Sequence, residues 1–223
     1  MNILATGETS RIEELKQKFS SDSVLTVMTK SELKTAKLQD FDFIFDLNFD
    51  DNPDFTPYTS FTGKALFVSA VKIQLAAFAP LSQTTVIGIN ALPTFLQRPL
   101  TEVSIRDEQD ANQLHQCMEQ LGWNYKRVDD RVGMVTPRLV YMIINEAYYT
   151  VQEGTASKAD IDLGMKLGTN YPMGPFEWCE KTGIRNVYEV LSAVYSDTRD
   201  ERYKICPLLK TEYLKSITIA SAM

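Results

Sequence analysis

The chain has 223 residues, 44% of them hydrophobic and 23% charged, the balance of a soluble globular protein with room for one large domain or two small ones. A formal net charge of −6, with no run of five Lys or Arg, argues against nucleic acid and against a polybasic membrane contact. No apolar run approaches a bilayer span, and the opening MNILATGETSRIEEL lacks the basic and long apolar parts of a secretory leader, so a cytoplasmic protein is expected.

In chain order, residues 2–6 form a short apolar run that stops at Gly7, and Thr9 or Ser10 is placed to cap the helix that follows, RIEELKQKF. Residues 23–27 are strand-like. Residues 41–47, FDFIFDL, alternate apolar and acidic side chains and end at the turn-rich NFDDNPD. Two more β-branched runs, residues 65–71 and 85–90, flank a helical pattern, KIQLAAFAPL. Residues 107–121 read as an amphipathic helix with Ala111, Leu114 and Met118 on its apolar face and Gly122 as its stop. Residues 125–128 read as a last strand. Strands alternating with helices predict an open, mostly parallel α/β sheet.

After Gly133 helical patterns take over, so a boundary is expected near residues 129–133, with residues 1–130 and 131–223 as two domains. Residues 138–153 predict a long helix, with Leu139, Met142, Ile143 and Ala147 on a buried stripe and a second apolar stripe against another subunit. Ser157 caps the next helix, with Asp160 at the capping-box position. Asp160 and Asp162 read as dipole partners of a helix start rather than as a catalytic or metal-binding pair. Turns are expected at Gly154-Thr155, across residues 168–175, where two prolines and a glycine crowd together, and at Thr182-Gly183.

Three scattered cysteines, Cys117, Cys179 and Cys206, and one histidine, His115, give no metal-ligand spacing, and the odd thiol count suits a reducing compartment. His115 and Cys117, two apart on a helix, face different ways and do not make a nucleophilic pair.

The most specific stretch runs through residues 133–209. It begins GMVTPRLVYMIINEAYYTVQEG, continues through TNYPMGPFEWCEKTG and ends at DERYKICPLL. It resembles the C-terminal helical domain of the 3-hydroxyacyl-CoA dehydrogenase family. The resemblance implies a Rossmann-like N-terminal domain, here truncated, and an all-α C-terminal domain for dimerisation and substrate. It also implies NAD(H) as cofactor, an acyl-CoA-like ligand and a homodimer paired through the helical domain. The short link KSELKTAKLQD leaves no room for the strand and helical projection that cover CoA in the family.

Set against that resemblance, the family's substrate-handling positions depart one by one. Residues 88–103, GINALPTFLQRPLTEV, align without a gap to the family's histidine motif. Asn90 stands where the family has its general acid/base His, while the orienting glutamate persists as Glu102. A carboxamide does not titrate near neutral pH, so Asn90 cannot take the proton from a substrate hydroxyl. The substrate-contacting Asn that opens the long helix is Pro137, which has no N–H to offer. The family's Ser is retained as Ser69. In the cofactor loop, the three glycine positions of G-x-G-x-x-G fall on Ala5, Gly7 and Ser10, with Glu8 where a pyrophosphate would lie. No acid follows the second strand until Glu32; Thr29 and Lys30 precede it.

These departures predict a family relative that keeps the scaffold, for an acyl-CoA-like ligand or a partner, and has lost the His-dependent transfer chemistry, with weak cofactor binding. Two alternatives stay open. One is a working, divergent NAD(P)-dependent 3-hydroxyacyl-CoA dehydrogenase that uses Glu102 or water; the other is a structural homodimer module.

Overall fold

Short runs rich in aliphatic and aromatic residues give six strands, β1 (Asn2–Thr6), β2 (Val24–Val27), β3 (Phe43–Asp46), β4 (Ala65–Ser69), β5 (Thr85–Ile89) and β6 (Leu100–Ile105), and the polar run NYKR gives β7 (Asn124–Arg127). In the computed structural model, which describes residues 1–20 and 22–221, these strands build one sheet in the order β2-β1-β3-β4-β5-β6-β7. The chain divides into two compact units, one from Met1 to Met134 and a second beginning at Val135.

The pairs β1/β2, β1/β3, β3/β4 and β4/β5 are parallel, with Ser69 beside Ile89 at the carboxyl end. β6 is antiparallel to β5, with Ile89 opposite Val103, and parallel to β7. The sequence reading does not mark residues 100–105 as a strand, because its apolar residues are broken by Thr101, Glu102 and Ser104. An antiparallel neighbour needs only a short return, and residues 90–99 supply it.

On one face, Ile3, Phe43, Phe45, Phe67, Ile87 and Val103 pack in a single core with helices α1 (Thr9–Lys16) and α3 (Ala111–Leu121). The rings of Phe45 and Phe67 stack at 4.6 Å, and Trp123 lies 5.6 Å from Phe45. Leu114 and Met118 of α3 are buried as expected, and Gly122 ends it at φ 68°. A 3-10 turn over Glu108–Asp110 precedes α3, so the helix begins later than its amphipathic pattern. His115 is exposed and Cys117 buried, on different faces. Ile44, Leu66 and Val68 alternate onto the other face and are also fully buried. Apart from β3, the regular elements between β2 and β4 are the four-residue α2 (Lys30–Leu33) and 3-10 turns.

The helix expected in KIQLAAFAPL is absent and must be corrected: a single 3-10 turn, Leu75–Ala77, stands there. Its backbone groups are taken by tertiary partners instead. The Asp130 carboxylate accepts the N–H groups of Leu75 and Ala76 at 2.9 and 2.8 Å, and Arg106 donates to the Phe78 carbonyl at 2.8 Å.

The second unit holds α4 (Thr136–Gln152), α5 (Lys158–Thr169), α6 (Pro175–Thr182), α7 (Ile184–Thr198) and α8 (Pro207–Ser221). The buried stripe of α4 is Val140, Tyr141, Ile144, Ala147 and Tyr148. This corrects the expected stripe: Leu139 is 61% exposed and Met142 and Ile143 are half-buried. Apolar residues surround this helix, so only its packing against α6, α7 and α8 sets the phase. Two carboxamides of α4 satisfy groups at the start of α8. Asn145 Oδ1 accepts the Cys206 N–H at 2.9 Å, and Gln152 Oε1 accepts that of Leu208 at 3.0 Å.

Ser157 caps α5 as expected, accepting the Asp160 N–H at 3.2 Å. α5 continues through Gly168 to Thr169 and ends on Asn170 at φ 56°, so the turn begins later than expected. Asp162 serves a different helix: its carboxylate accepts the Phe176 and Glu177 N–H groups at the start of α6, at 2.8 and 3.2 Å. α5 has no buried residue at all, and Leu163 and Leu167 on it are exposed. Among the described residues, no helix is long and apolar enough to cross a membrane, and no group of three or more His, Cys, Asp or Glu is placed to hold a metal ion.

Candidate ligand site at the carboxyl edge of the sheet

In an open parallel sheet, ligands bind beyond the carboxyl ends of the strands, at the point where strand order reverses. Here that point lies between β1 and β3, the strands that separate β2 from β4. β1 leads into Gly7 at φ 147°, a value that L side chains rarely adopt. A Cβ on Gly7 would lie 2.8 Å from Leu47 Cβ and 2.9 Å from Asn48 Oδ1, so the glycine is required by the turn after β3. Ala5 is buried within β1. Ser10 is exposed inside α1; the helix is capped neither by it nor by Thr9, since the N-cap residue is Glu8 and the backbone enters the helix one residue early.

The Glu8 N–H donates to Asn48 Oδ1 at 2.8 Å, and the Glu8 carboxylate pairs with Arg11 at 3.5 Å. Arg11 is 1% exposed and donates to the Leu47 carbonyl at 2.6 Å. At the end of β2, Thr29 caps α2 and Glu32 returns a bond to the Thr29 N–H at 2.7 Å. Those bonds hold the Glu32 carboxyl below its usual range. Lys30 reaches Asp46 at 3.4 Å. Ile12, Val27, Met28 and Thr29 line a cleft of about 530 Å³ beside these groups.

Asp46 ends β3 and is fully buried. Tyr58 donates to its Oδ2 at 2.7 Å and the Asn48 N–H to its Oδ1 at 3.2 Å. Burial pushes its pKa up, and Lys30 opposes that shift. Burial and the neighbouring Asp46 charge likewise raise the Tyr58 hydroxyl. Asp50 Oδ2 accepts the Val71 and Lys72 N–H groups at 2.9 and 3.1 Å. Asp51 takes an ion pair from Lys72 and a bond from Asn48 Nδ2 at 2.6 Å.

Three strands toward β5, about 14 Å from β1 at ordinary strand spacing, lie the positions read from the histidine motif. Asn90 directly follows β5 and is buried; its N–H donates to the Glu102 carbonyl at 3.3 Å and its Oδ1 accepts from Leu92 N–H at 3.4 Å. Asn90 and Glu102 are thus backbone neighbours across β5 and β6. Glu102 alternates with Val103 and is half-buried off the core face. Ser69, last in β4, is fully buried, and no described protein group bonds its Oγ. It shares the pleat face of Phe67, so Ser69 and Glu102 fall on opposite faces of the sheet. Pro137 belongs to the second unit, buried in the first turn of α4, which opens at Thr136. The next loop is strained: Thr94, a β-branched residue, sits at φ 74° and donates its N–H to Glu14 Oε1 at 2.6 Å.

The implied nicotinamide cofactor does not fit these residues. A pyrophosphate needs free loop N–H groups and close backbone approach. Here the Glu8 N–H is bonded internally, and the approach to Gly7 is filled by Leu47 and Asn48. The sequence reading missed Asn48, Asp46 and Arg11. The run NFDDNPD signals a turn, but nothing local says that its side chain reaches back 40 residues to a backbone N–H.

A mostly parallel α/β sheet with a small-residue turn after β1, followed by a separate helical unit, defines a Rossmann-like domain joined to an all-α unit. Residues 133–216 match the family described as 3-hydroxyacyl-CoA dehydrogenase, C-terminal domain. The chain is 39% identical over 97 residues to 3-hydroxyadipyl-CoA dehydrogenase of Escherichia coli (strain K12), covering 44% of this chain and 20% of that protein. It is 36% identical over 109 residues to a probable 3-hydroxybutyryl-CoA dehydrogenase of Bacillus subtilis (strain 168), covering 49% of this chain and 38% of that one. The chain therefore spans well under half the length of these curated relatives. The crystal structure of M. tuberculosis FadB2 has the same fold, with a TM-score of 0.74 at 17% identity over 96% of this chain and 93% of that one. Residues 133–216 are thus a 3-hydroxyacyl-CoA dehydrogenase C-terminal domain by sequence match.

Proposed function

We propose that this chain is a 3-hydroxyacyl-CoA dehydrogenase relative that has lost the His-dependent transfer step and serves as a scaffold that binds an acyl-CoA-like ligand. Asn90 carries the reading. It stands at the end of β5, buried beside the Glu102 backbone, where proton abstraction needs an imidazole. Pro137 removes a second polar contact of the family motif. Glu102, on the same side of the sheet as Asn90, remains as a polar group for a ligand, and the relatives' printed names supply the class, a 3-hydroxyacyl-CoA. An active enzyme using Glu102 is the second reading, favoured by the half-buried carboxylate beside Asn90.

We further propose a homodimer paired through the helical unit, in a reducing cytoplasm. The exposed Leu139, Leu163 and Leu167 support the pairing, and three free, buried thiols support the compartment. The test is paired. Acetoacetyl-CoA should bind in a calorimeter, and mixing it with NADH should give no NADH oxidation. Oxidation that depends on acetoacetyl-CoA would establish the enzyme instead. No binding would leave only the structural module, and a monomer by sedimentation would remove the pairing.

A further inference from the structure

We propose that the turn after β3 is a built-in occupant of the phosphate loop, with the Asn48 carboxamide taking the place of a pyrophosphate, so that the chain rejects nicotinamide dinucleotides. The topology puts this turn at the reversal point between β1 and β3, where such a ligand would cross the sheet edge. Asn48 Oδ1 accepts the Glu8 N–H at 2.8 Å, an N–H of the loop that would otherwise face a phosphate oxygen. The same oxygen, with Leu47 Cβ, fills the space that Gly7 leaves open by lacking a side chain. In a nucleotide-binding loop that space admits the ligand; in this chain it admits the chain itself.

The occupant is braced from every side that the structure describes. Asn48 Nδ2 donates to Asp51 Oδ2 at 2.6 Å, and its own N–H donates to Asp46 Oδ1 at 3.2 Å. Arg11 holds the preceding carbonyl, that of Leu47, at 2.6 Å. Swinging the Asn48 carboxamide out breaks both of its bonds at once, to the Glu8 N–H and to Asp51, and each of those groups then needs a new partner. Charge acts in the same direction. The nearby cations are already paired with acids, Arg11 with Glu8, Lys30 with Asp46 and Lys72 with Asp51. An incoming pyrophosphate meets the Glu8 carboxylate at the mouth and gains no uncommitted counter-charge among these groups.

This inference rests on the scaffold reading, and the two fail separately. NADH binding without turnover overturns the occupant alone, whereas failure of acetoacetyl-CoA to bind overturns the scaffold reading alone. The experiment titrates the full chain with NADH, following energy transfer from tryptophan to the reduced nicotinamide. The wild type should show a Kd weaker than about 1 mM. Asn48→Ala combined with Glu8→Gly should bind at least about tenfold more tightly. Micromolar binding by the wild type overturns the proposal, as does a folded double variant that gains nothing. Amide exchange at Glu8 in the wild type gives an answer independent of any variant. Strong protection is expected, and free exchange overturns the assignment.

Discussion

The Asp162 carboxylate of α5 lies directly against Gly174, so closely that a Cβ on Gly174 would overlap its Cβ, Cγ and Oδ1. The glycine's φ of −71° is ordinary, so the requirement is for space and not for backbone freedom. The contact lets one carboxylate bind two N–H groups at the start of α6, while Lys166 of α5 pairs with Glu177 of α6. Gly174→Ala should destabilise the chain by about 1–3 kcal/mol. Asp162→Ala should cost about 1 kcal/mol through the lost cap. In the Asp162→Ala background, Gly174→Ala should cost less, because the overlap with the carboxyl group is gone and only that with the Cβ remains. Urea midpoints for the four proteins measure this, and simple additivity would show that the two residues do not share the site.

All three cysteines are free and buried. Burial pushes the Cys179 thiol up to about 11 and also raises Cys117. Only the thiolate attacks a disulfide reagent. The native chain near neutral pH should therefore leave Ellman's reagent unreacted, while the denatured chain releases three equivalents. Fast reaction of a native thiol would place that cysteine outside the packed interior.

Asp46 makes stability depend on pH in an unusual direction. Burial holds its carboxyl above the ordinary aspartate value of 3.8, with Lys30, Tyr58 and Asn48 opposing the shift. Between that value and the raised one, the folded chain keeps a proton that the unfolded chain has released. Its contribution to stability therefore falls as pH rises through this window. Asp46→Asn keeps an acceptor for the Tyr58 hydroxyl and removes the titration. The stability of the variant relative to wild type should grow as pH rises above 3.8 and then level off. A difference that is flat across denaturation curves at several pH values would contradict the raised carboxyl.

Asn90→His returns the imidazole to the family position but restores nothing around it. A positioned base contributes about 10²–10⁴ to a rate, and it acts only on substrates that are bound. Pro137 and the self-bonded loop at Glu8 and Asn48 are unchanged in this variant. Acetoacetyl-CoA-dependent NADH oxidation should stay at the wild-type background. Clear turnover by the single variant would show that the rest of the site is intact.

The core of the fold was legible where one residue type decides a local outcome. Gly122 ended α3, Ser157 capped α5, and the apolar runs marked β1 and β3 to β5 within a few residues. Legibility failed where tertiary partners took over local groups. Asp130 captured the N–H groups of residues 75 and 76 and left a 3-10 turn in place of a helix. β6 was hidden by its polar residues and by an antiparallel return that no local pattern announces. The positions Asn90, Glu102, Pro137 and Ser69 came from motif register, and the structure adds that Asn90 abuts the Glu102 backbone while Ser69 faces the other side of the sheet.

By itself the sequence determined the identities on which the chemistry turns: a carboxamide at 90, a proline at 137, and a single glycine in the loop after β1. Their positions matter through the register of the family resemblance and their chemistry through residue type, since no packing can give an amide a titrating nitrogen. Tertiary structure alone decided that Asn48 folds back onto the Glu8 N–H from 40 residues away, and which face of α4 is buried. A side chain's reach across a sheet edge depends on which strands are neighbours, and pairwise order along the chain does not contain that.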